Sequence, residues 1–268
     1  MKFIKMSLFI FCIASINTVH ASSEFIKQAV AAEHRSEKNI ARDVYRHPVE
    51  TLSFFGIKPD MTILEILPGG GWYTEILAPM LKDNGHLTLA SFGADHPNNF
   101  LQGLHNKLVT KLQANPSVYG KADVVVFKKG NTYLSEVPDN SQDMVVTFRN
   151  THNWIRFGGI EEVYPAFHRV LKKGGILGVV QHRAKEGSHY KESAENGYVP
   201  EAYLISFIEG LGFELVETSE INANPKDTKD HKAGVWSLPP SYRLKEVNKE
   251  HYQAIGESDR MTLKFIKR

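Results

Sequence analysis

Between Phe148 and Trp154 the chain carries five polar side chains in succession: Arg149, Asn150, Thr151, His152 and Asn153. A guanidinium at Arg149 offers paired N–H donors that match a carboxylate or phosphate. Asn150 and Asn153 suit the orientation of an amide or amine, and an imidazole at His152 titrates where a general base is needed. A second imidazole follows in Gln181-His182-Arg183, after another apolar run. Upstream, Pro68-Gly69-Gly70-Gly71 interrupts the apolar run that contains Glu65. Successive glycines let backbone N–H groups approach a ligand, and Tyr73 and Glu75 stand at the start of the helix that follows. The chemistry these residues suit is the holding of a small polar ligand, with proton transfer at His152. Their competing use is structural, with Asn150 to His152 capping the next segment and Trp154 packing. His152 and His182 provide two metal ligands without a clear third, and no metal is expected.

These residues act together only if the chain delivers them to one edge. Residues 61–67, 85–91, 122–127, 144–148, 176–180 and 213–217 read as short apolar strands, and 261–266 alternates as a strand of different character. Helical spacing follows Trp72 and recurs over 97–112, 160–171 and 200–211, with Lys172-Lys173-Gly174-Gly175 closing the third of these. Pro48 suits the first position of a helix through Phe55. Residues 24–45 have helical spacing and are expected to cap the main domain. Residues 219–256 are polar and proline-containing with little periodicity. Alternating strand and helix predicts a mostly parallel sheet, which binds ligands beyond the carboxyl ends of its strands.

Composition excludes several classes. The chain has 268 residues, 42% hydrophobic and 23% charged, enough for a sizeable core. Removing Lys2 and Lys5 from the 32 basic residues leaves 30 against 30 acidic, so nothing favours nucleic acid or an anionic membrane. Those two lysines open segment 1–21, whose apolar core and Val19-His20-Ala21 resemble a cleavable signal peptide, too short for a stable membrane anchor. The single cysteine, Cys12, leaves with it, so an exported, periplasmic or secreted chain without disulfides is expected. The organisation is then 1–21 signal peptide, 22–58 helical cap and 59–268 α/β domain. No P-loop, serine-nucleophile elbow or HExxH motif occurs.

The segments ILEILPGGGWYTEILA and FHRVLKKGGILGVV resemble the first motif and the fifth-strand region of class I S-adenosylmethionine-dependent methyltransferases. RHPVETLSFFGIKPDM, FRNTHNW and GESDRMTLKF further resemble a group of exported bacterial proteins labelled predicted methyltransferases. The resemblance covers 59–268 and implies a Rossmann-like, mostly parallel seven-stranded sheet with helices on both faces and the N-terminal helical cap. It implies S-adenosylmethionine as cofactor, held by Glu65, Pro68, Gly69, Gly70, Gly71, Tyr73, Ser91, Asn131 and Asn150. His152, Arg149 and Asn153 would then act on a small-molecule methyl acceptor. The chain departs from the family at Leu67, where glycine is usual, and at Ser91 and Asn131, where carboxylates usually meet ribose and adenine. The alternative is a small-ligand-binding protein without catalysis on the same scaffold.

Overall fold

The computed structural model describes residues 24–128 and 133–268. Seven strands form one sheet: β1 (Thr62–Ile66), β2 (His86–Ser91), β3 (Asp123–Val126), β4 (Gln142–Phe148), β5 (Leu171–His182), β6 (Phe213–Ser219) and β7 (Arg260–Lys267). Their order is β3-β2-β1-β4-β5-β7-β6, with β7 antiparallel between β5 and β6 and the other pairings parallel. The chain moves outward from β1 through β2 to β3, then returns to β4 on the other side of β1. The reversal of strand order therefore lies between β1 and β4, the position at which such sheets take ligands.

Alternation along the central strands fills both faces. Leu64, Ile66 and Val145 pack with the helices Ile160–Val170 and Glu201–Glu209, while Ile63, Met144 and Val146 pack against Phe55, Ile76 and Leu108. A strand covered on both sides reads as continuously apolar, which is why β1 and β4 stand out in the chain. Glu65 is the exception in β1, buried between Leu64 and Ile66.

The sheet of seven strands and the placement of its helices match the sequence reading. Three stretches differ in detail. Lys172-Lys173-Gly174-Gly175 lies inside β5, because Leu171 already pairs with Gln142 and the ladder resumes at Ile176 after an irregularity. Residues 24–45 divide into a helix over 24–30 and the short helices Glu37–Ile40 and Asp43–Arg46. Arg35 clasps Asp43 with two hydrogen bonds of 2.7 and 2.8 Å, folding this segment back on itself. Residues 219–256 contain a 3-10 turn, Gly234–Ser237, and a helix, Lys249–Ile255. Among the described residues no helix is long and apolar enough to cross a membrane. Segment 1–21 and Asn131 lie outside the described residues.

Candidate functional site

The loop after β1 turns sharply. Leu67, Gly69 and Gly71 all adopt positive φ (49, 59 and 76°), a region where a side chain is strained and glycine is not. Leu67 thus occupies a backbone conformation suited to the glycine that the family resemblance places there. Gly71 packs on the helix Asn99–Ala114: a Cβ there would lie 3.2 Å from Leu108. At Gly69 and Gly70 a Cβ would meet nothing, since both face open space.

That space is a polar cavity of about 450 Å³, lined by Glu65, Pro68, Gly69, Gly70, Tyr73, Asn150 and, from the N-terminal segment, Arg42 and Arg46. Thr74 Oγ1 donates to Glu65 Oε2 at 2.7 Å. Burial nevertheless raises the Glu65 carboxyl to about 7, with Thr74 and Lys111 only partly opposing it. Tyr73 stacks on Phe148 at 3.6 Å between ring centroids, tying the glycine loop to the end of β4. Asn150 Nδ2 donates to Ile66 O at 3.0 Å, bridging the ends of β1 and β4.

Leu67, Gly69 and Asn150 are shared with a second cavity of about 550 Å³. Its walls are largely aromatic and aliphatic, including Phe92 after β2, Phe127 after β3 and Trp154. The two spaces adjoin along the ends of β1, β2, β3 and β4, a groove apolar at one end and polar at the other. Its polarity suits a ligand with an aromatic base at one end and an amino-acid tail at the other. S-adenosylmethionine is such a ligand. The described residues supply the stacking surface and the glycine turn it needs, but no carboxylate at the end of β2. Ser91 is buried with its Oγ 3.3 Å from His105 Nδ1, and Asp95 is exposed; neither lines the groove.

A third cavity, about 280 Å³, adjoins the polar end and shares Arg42, Arg46 and Arg149 with it. His152, Asn153, His182, Trp236, Glu257 and Ser258 complete most of its wall. His152 and His182 lie 5.6 Å apart between centroids, so the ends of β4 and β5 do bring the two imidazoles together. Gln181 Nε2 donates to His152 Nδ1 at 3.2 Å, which leaves the ring proton on Nε2. Burial lowers the His152 pKa to about 3, and Arg156 and Arg149 push the same way. The ring is therefore neutral at physiological pH, with its unprotonated nitrogen already engaged. The titration range expected from the sequence does not survive burial. His182 is likewise held neutral, by burial and then by His152 and Arg149. Among the described residues, no group of three or more His, Cys, Asp or Glu is placed to hold a metal ion.

Glu257 gathers the charges. It accepts from Arg42 Nε at 2.6 Å, from Arg46 Nε at 3.3 Å and from Arg260 Nη1 at 3.2 Å, with Arg149 Nη1 3.9 Å away. Burial alone raises its carboxyl, but Arg46, Arg260, Arg42 and Arg149 together bring it down to about 2. In the sequence Glu257 merely precedes the last strand, Arg42 and Arg46 lie in the 24–45 segment, and Trp236 falls in the stretch 219–256 with little periodicity. Contacts more than two hundred residues apart in the chain leave no local signal. Conversely Glu75, which looked placed to meet a ligand, is buried and paired with Lys111 at 2.5 Å.

No protein-family model matches the sequence, and no curated protein is detectably similar to it. Solved structures do share its fold. An S-adenosylmethionine-dependent methyltransferase from Aquifex aeolicus superposes with a TM-score of 0.57 at 14% identity, over 92% of this chain and 98% of that one. The (4+2) cyclase SpnF gives 0.55 at 15% identity, over 95% and 94%. An S-adenosylmethionine-dependent methyltransferase from Methanosarcina mazei gives 0.52 at 14%, over 79% and 94%. At these identities the likeness is one of fold.

Proposed function

We propose that the chain binds S-adenosylmethionine along the groove and transfers its methyl group to a small molecule seated in the third cavity. The observation that carries this reading is the adjacency of the two cavities: a stacking end and a polar glycine-loop end share Leu67, Gly69 and Asn150 at the switch point of the sheet. When bound, the cofactor supplies an electrophilic methyl group. The protein's part is positioning, which methyl transfer chiefly requires because the reacting atoms must lie in line. Asn153, which lines both the apolar cavity and the third one, stands at their junction. His152 contributes a neutral N–H donor from Nε2. Glu65 sits at the polar end to meet the ammonium of the amino-acid tail.

Calorimetric titration of the purified protein with S-adenosylmethionine and S-adenosylhomocysteine tests the reading. Micromolar binding, about −8 kcal/mol, supports it; no heat at two temperatures removes it. A second reading, ligand binding without catalysis, is favoured by one observation, the absence of a carboxylate from the β2 end of the groove among the described residues. A fold does not dictate a reaction, and turnover with bound cofactor separates the two readings.

A further inference from the structure

We propose that the third cavity is an oxyanion site, in which Arg149 and Arg46, with Arg42 beside them, hold a carboxylate or phosphate of the substrate. The inference rests on the groove reading above and adds the chemical class of the acceptor.

The charges do not balance in the protein alone. Four guanidiniums, Arg42, Arg46, Arg149 and Arg260, converge on the one carboxylate of Glu257, and among the described residues no other acidic side chain lines the cavity. Arg260 is satisfied, donating also to Ser258 O and Tyr45 O. Arg46 is not: it is 2% exposed, lines both cavities, and its Nη1 has no hydrogen-bond partner among the described residues. Its guanidinium lies over the Trp72 ring at 4.6 Å, which holds the side chain in place. A buried guanidinium with an unused donor is costly unless a ligand completes it.

Arg149 offers the second arm. Its backbone is held at φ 65°, a conformation L residues rarely adopt, while its N–H donates to Val180 O at 2.7 Å. Such strain concentrates at ligand clamps. At 3.9 Å from Glu257 its Nη1 makes no hydrogen bond to that carboxylate. The remaining wall supplies neutral polar groups suited to an oxyanion, from Asn153, Ser241, the uncharged His152, and the His182–Ser258 pair, whose Nδ1 and Oγ are hydrogen-bonded to each other. Carboxylate and phosphate both fit paired guanidiniums, which grip planar or tetrahedral oxygens through two N–H bonds.

The cofactor's own carboxylate is the competing occupant, because Arg46 and Arg149 also line the glycine-loop cavity. Inorganic phosphate serves as the probe, titrated calorimetrically into the purified protein at constant ionic strength, with and without saturating S-adenosylhomocysteine. Saturable phosphate binding is expected, unchanged within about threefold when the nucleoside is bound and weakened at least tenfold in Arg149→Gln and in Arg42→Gln, with Arg183→Gln unaffected. Binding no stronger than chloride, or equal binding to all variants, overturns the inference. Displacement of phosphate by S-adenosylhomocysteine also overturns it, assigning the arginines to the cofactor. Nucleoside binding without phosphate binding removes this inference and leaves the groove reading intact. Phosphate binding without nucleoside binding removes the groove reading, and with it the acceptor role.

Discussion

Glu65 shows how one residue type acquires a role from its surroundings. In the chain it is a lone charge in an apolar strand; in the fold, burial lifts its carboxyl to about 7, within the physiological range. A carboxyl raised from an unfolded value of 4.5 takes up a proton on folding between those two values. Its contribution to stability is therefore fully present below about 4.5 and is lost as pH rises through about 7. Glu65→Gln removes that loss, and the variant is expected to be more stable than the wild type at pH 8 by roughly 2–3 kcal/mol, read by denaturant unfolding. Ligand binding runs the other way. Affinity for S-adenosylhomocysteine is expected to increase as pH rises through about 7, because the ionised carboxylate attracts the ammonium, and the variant is expected to show no such slope. A wild-type slope that persists in the variant would place the titrating group elsewhere. His152 illustrates the same dependence in reverse, since burial turns an ordinary imidazole into a neutral one. The residue types at positions 149 to 153 were legible from the sequence; their protonation states were not, because desolvation is a property of neighbours.

At the scale of elements, the turn between β1 and the helix Thr74–Leu81 decides whether a ligand can enter. Gly70 lines the polar cavity, and a Cβ there meets no protein atom. Gly70→Val adds a branched side chain at the cavity wall, its Cβ clear of other protein atoms. The expected outcome is S-adenosylhomocysteine binding weakened at least tenfold, about 1.4 kcal/mol, with the melting temperature changed by less than about 3 °C. Unchanged affinity would show that the ligand does not pass the turn. The strands were the most legible elements, because a central parallel strand is apolar throughout and is bounded by turn residues. The segment from 219 to 256 was least legible. Its place is set by partners elsewhere in the chain: Trp236 stands over the site against Arg243 and Arg156.

At the scale of the molecule, Glu257 joins the two ends of the described chain. Its bonds to Arg42 and Arg46 tie the start of β7 to the N-terminal segment, across separations of 215 and 211 residues. Glu257→Gln leaves four guanidiniums without their counter-charge, and a loss of about 3 kcal/mol is expected in thermal or denaturant unfolding. Loss confined to below 1 kcal/mol would mean that the arginines are solvated well enough to stand alone. The wild-type contribution is present above the unfolded pKa of 4.5 and fades as pH falls toward about 2, so acid should narrow the difference between the two proteins. What the amino-acid sequence alone determined was the order of strands and helices, the glycine turn and the polar run after β4. Each of these is written in neighbouring residues, through the spacing of apolar side chains and the conformations that glycine and proline allow. Only the tertiary structure decided that Arg42, Arg46, Arg149 and Arg260 share one carboxylate, that Ser91 does not line the groove, and that both imidazoles are neutral. Those outcomes depend on distance, burial and charge balance among residues far apart in the chain, and local pattern carries no record of them.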